Sequence, residues 1–144
     1  METKFNFNSQ ICTSKAQSER LLALGLKKET ADMALVPLME WDDCASQEYF
    51  TGIYTAREKE DAERYGLDYT PAWSMSRLIE MMPTIIKRHN QDWELSINGA
   101  GVIYFRRDTV ALIEALADNV YHNMINCIEW LIKEGHFNKE YLMS

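Results

Sequence analysis

Apolar and polar positions along the chain change period several times, and each change marks an element. Lys4-Phe5-Asn6-Phe7-Asn8 alternates at period two and predicts a short edge strand. Ser14-Lys15-Ala16-Gln17 has capping-box form, which predicts a helix beginning near Lys15 with Ala16, Leu21, Leu22 and Leu24 on its apolar stripe. Gly25 is placed to close that helix in the left-handed conformation, with Leu26 making the accompanying apolar contact. Met33 to Trp41 is apolar but interrupted by Pro37, which cannot donate to a ladder; an edge strand or two short extended pieces is expected. Glu48 to Tyr54, rich in aromatic and β-branched residues, predicts a second strand.

Further on, Thr70-Pro71 reads as the N-cap and first position of a helix over Ala72 to Met82, stopped before Pro83, with Met75, Leu78, Ile79 and Met82 on its buried face. Trp93 to Ile97 alternates, Asn98-Gly99-Ala100-Gly101 supplies turn residues, and Val102 to Phe105 resumes an apolar strand, so 93–97 and 102–106 form a hairpin. The segment after Asp108 has two readings. One helix over 109–134 would align Ile113, Leu116, Val120, Met124, Ile128 and Leu131. Alternatively 110–116 is a third antiparallel strand, and Asp118 or Asn119 caps a helix from Val120 to Glu134. The second is favoured, because a continuous helix has no use for a cap signal in its interior. Gly135 ends the helix in either case.

These elements predict an α+β fold in one domain, 1–144: a small, mostly antiparallel sheet packed against two or three helices. The 144 residues are 47% hydrophobic and 26% charged, which suits a soluble globular chain, and no uncharged apolar stretch nears the roughly 20 residues of a bilayer span. A basic start followed by an apolar stretch is missing, so a cytoplasmic location is expected, and Cys12, Cys44 and Cys127 have the spacing of reduced, buried thiols. The net charge of −7 makes a nucleic-acid duplex an improbable partner. The deficit is concentrated in residues 1–72, with 8 basic against 13 acidic side chains; residues 73–144 carry 7 against 9. The run Arg57 to Arg64 gathers four of those acidic side chains with three basic ones and reads as a solvated face.

Candidate chemistry is sparse. Gly99-Ala100-Gly101 joins two strands and is a turn rather than a phosphate loop. His89, His122 and His136 lie in different elements without metal-ligand spacing, and Asp42, Asp43 and Glu48 lack the pattern of a calcium loop, so neither metal nor cofactor is expected. Asp118 and His122, four apart, would suit a weak surface pair better than catalysis. The cluster with most chemical content is Tyr104, Arg106 and Arg107 at a strand end, which together with Trp73 and Arg77 would bind an anion by bidentate contact and stacking if sheet and helix meet there. The competing expectation is that Arg106 and Arg107 pair with the chain's own surplus carboxylates.

Three blocks, Ile11 to Leu26, Pro71 to Leu78 and Cys127 to Phe137, resemble small uncharacterised proteins carried on prophages and conjugative elements of gut Bacteroidales. The resemblance covers well under half of the chain and implies a mobile-element setting without an activity to transfer. The expected function is therefore that of a non-enzymatic accessory protein binding a host or phage protein. The alternative is a protein that binds or sequesters a small anionic ligand such as a nucleotide. An enzyme would require Asp118, His122 or His136 to converge in a pocket.

Overall fold

The structure is a computed structural model that describes residues 10–37, 48–53, 69–98, 101–106, 111–115 and 119–144. Among these residues the helices are α1 (Lys15–Ala23), α2 (Met75–Met81) and α3 (Val120–Lys133). The strands are β1 (Met33–Pro37), β2 (Glu48–Ile53), β3 (Thr70–Ala72), β4 (Ile85–Arg88), β5 (Gln91–Asn98), β6 (Gly101–Phe105) and β7 (Ala111–Ala115). The fold is α+β, and its strands divide between two antiparallel sheets, ordered β2-β1-β3 and β4-β5-β6-β7. The expected strand at Lys4–Asn8, the acidic run Arg57–Arg64 and the turn residues Gly99 and Ala100 lie outside the described residues.

Local signals fix the helix ends. The Ser14 hydroxyl accepts from the Gln17 backbone N–H at 3.3 Å, and the Gln17 side chain accepts from the Ser14 N–H at 2.9 Å, completing the capping box. Helices α1 and α3 close in the same way. Gly25, at φ +103°, donates to the Leu22 carbonyl while Leu26 donates to Leu21; Gly135, at φ +76°, donates to Ile132 while His136 donates to Leu131. Asn119 caps α3 by accepting from the N–H groups of Tyr121 and His122 at 2.7 and 3.3 Å. The strand-then-helix reading of the segment after Asp108 is thus the one observed.

Four expectations are corrected. Thr70-Pro71 does not start a helix: Thr70–Ala72 is β3, paired with β1, and Ser74 caps α2 instead, accepting from the Arg77 N–H at 3.1 Å. Pro71 still sits where it costs no ladder bond, in an edge strand. Strand β1 is central rather than an edge, since Pro37 occupies its last paired position, opposite Glu48. On α1 the buried face is Gln17, Ser18 and Leu21, and Ala16 is exposed, because Ser18 shares a 2.7 Å hydrogen bond with the Thr13 hydroxyl. On α2 Ile79 points outward, at 40% exposure.

A strand that the hydrophobic pattern left unassigned, β4, joins β5 through His89 and Asn90, both with positive φ (55° and 58°), the backbone that a two-residue hairpin turn requires. Trp93 on β5 and Val102 and Tyr104 on β6 face inward beneath Met124, Ile125, Ile128 and Leu131 of α3. Trp73, Leu78 and Leu26 complete the same core, and a smaller cluster of Cys12, Leu35 and Ala72 lies against the three-stranded sheet.

Candidate functional site

Trp73 and Arg77 meet, but on a structural turn. The Trp73 indole N–H donates to the Thr30 hydroxyl at 2.9 Å, and the Arg77 guanidinium donates to the Thr30 carbonyl at 2.7 Å. The Thr30 hydroxyl in turn donates to the Lys27 carbonyl at 2.6 Å. Asp32 accepts from the backbone N–H and the hydroxyl of Ser74 at 2.9 and 2.5 Å. These bonds clamp the start of α2 to residues 27–32. Trp73 has no exposed surface, so its ring is not available for stacking on a ligand. Arg77 also pairs with Glu80 at 3.4 Å.

Tyr104 belongs to a second set of contacts. It is fully buried, donates its hydroxyl to the Pro83 carbonyl at 2.7 Å, and stacks at 6.4 Å on Trp130. Burial pushes its phenol well above the usual tyrosine value. Arg106 belongs to a third: it hydrogen-bonds the Gln91 side chain and lies 5.2 Å from the centre of the Trp93 ring. Arg107 is outside the described residues. Sequence proximity suggested one anion site; the contacts of the four described residues instead form three sets, each containing a buried aromatic side chain, Trp73, Tyr104 or Trp93.

Among the described residues, Cys12, Cys127 and Tyr121 are buried. Burial, with the Asp32 carboxylate second, raises the Cys12 thiol, and burial raises Cys127 to about 12. Burial, with the Cys12 thiol next, also raises the Tyr121 phenol. His122 is exposed on α3, and His136 lies 5.7 Å from the Trp130 ring, on which Arg88 rests at 5.8 Å. Asp118, the expected neighbour of His122, is outside the described residues, as are Asp42 and Asp43. Among the described residues no group of three His, Cys, Asp or Glu side chains is placed to hold a metal ion. None of their helices is long and apolar enough to cross a membrane.

The feature that sequence reading missed is the outward face of the four-stranded sheet. Strand alternation turns Trp93 and Tyr104 inward and therefore Glu94 and Phe105 outward. The register places Ile85, Glu94 and Phe105 in one row across β4, β5 and β6, with Ser96 opposite Ile103 in the next and Lys87 opposite Asp92 at the hairpin end. Ile85 is 50% exposed, and Glu94, Ser96, Ile103 and Phe105 are partly exposed. The signal was present in the odd-numbered Ile103 and Phe105, but without β4 the row had no third member. Comparison with family models, with characterised proteins and with solved structures returned no match to this chain.

Proposed function

We propose that this chain is a non-enzymatic interaction protein that binds another protein, from a host or a phage, through the outward face of the four-stranded sheet. The observation that carries this reading is the row Ile85–Glu94–Phe105, an aliphatic and an aromatic side chain flanking a carboxylate on the face opposite α3. Apolar groups grouped on a rigid sheet and edged by charge are the composition of a binding patch, with the aromatic ring as its anchor. The resemblance to mobile-element proteins supports an accessory role of this kind.

The test compares affinity capture by the wild-type protein, by Ile85→Lys and by Ile79→Lys, the last altering an exposed isoleucine on α2 away from the sheet. Partners retained by wild type and Ile79→Lys but lost by Ile85→Lys, with unchanged melting temperature, are the expected outcome. Equal retention by Ile85→Lys rejects the face, and no retention by wild type rejects the function. A thermal-shift panel of mono-, di- and cyclic nucleotides is expected to be flat, because Trp73 and Tyr104 are enclosed. A nucleotide present at a hundred times its Kd would add about 2.7 kcal/mol and favour a ligand-binding protein instead.

A further inference from the structure

We draw no further inference here: the strongest candidate, the outer backbone edge of β4 beside the cavity lined by Met82, Pro83, His136 and Tyr141, adjoins the sheet face already described, and nothing in the structure shows what covers it.

Discussion

Trp73 reaches across 43 positions of sequence to donate its indole N–H to the Thr30 hydroxyl, 2.9 Å away. The bond ties the residue before the α2 cap to the turn that leads into β1, and Arg77 grips the carbonyl of the same threonine. Side chains that resembled ligand-binding groups in the sequence are in this way the fastening between α2 and β1.

Removing either end of that bond leaves a polar group stranded. Trp73→Phe keeps most of the buried ring but strips the donor, and a loss of about 1–3 kcal/mol is expected. Trp73→Ala adds a cavity and should cost about 3–5 kcal/mol. A double-mutant cycle of Trp73→Phe with Thr30→Val, read by denaturant unfolding, should return a coupling of about 0.5–3 kcal/mol. Strict additivity would mean that the bond contributes nothing.

The side-chain caps of α2 and α3 should separate by their surroundings. Asn119→Ala on α3 removes the acceptor of two N–H groups and an exposed hydrogen bond to the Gln10 side chain, and is expected to cost about 1 kcal/mol. Ser74→Ala on α2 removes the cap and also the hydroxyl that donates to Asp32. Its loss should exceed that of Asn119→Ala in parallel unfolding experiments, and a smaller loss would show that Asp32 alone holds the start of α2.

Glu129 joins α1 to α3 and sets an acid-side dependence. A hydrogen bond from Arg20, then one from Lys133, holds its carboxyl below the usual glutamate range. The stabilisation from a lowered carboxyl is complete above the unfolded pKa and disappears as pH falls through the folded one. Unfolding midpoints of wild type and Glu129→Gln should therefore differ most near neutrality and converge in acid. A difference that persists below both pKa values would indicate packing rather than charge.

Cys127 and Tyr104 set the opposite limb. Both are buried groups whose proton is held more tightly when folded, so their effect is intact below the unfolded pKa values and stability falls as pH rises beyond them. In a Cys44→Ser background, Cys12 and Cys127 should resist a thiol reagent at pH 8 in the folded protein and react fully after unfolding. Rapid labelling of Cys127 in the native protein would show that the core under α3 opens, and rapid labelling of Cys12 that the smaller cluster does.

The sequence by itself determined features closed within about five residues. The capping box at Ser14–Gln17, the glycine closures after α1 and α3 and the Asn119 cap are satisfied by neighbours along the chain, so residue type and spacing specify them, and β5 is marked by its alternation of apolar and polar side chains. They were enough to fix the α+β class and the boundary between β7 and α3. What only the tertiary structure decided depends on distant partners. Thr70-Pro71 satisfies a helix-cap pattern locally, yet pairing with β1 draws it into a strand, and the Asp32 carboxylate gathers the real helix start at Ser74. Strand order, the division into two sheets and the facing of Ile85 and Phe105 follow from pairings that no local period encodes. Trp73, Arg77, Tyr104 and Arg106 were legible as chemically capable side chains. Whether such a side chain faces solvent or holds the core is set by which element packs against it, and that is a property of the folded chain.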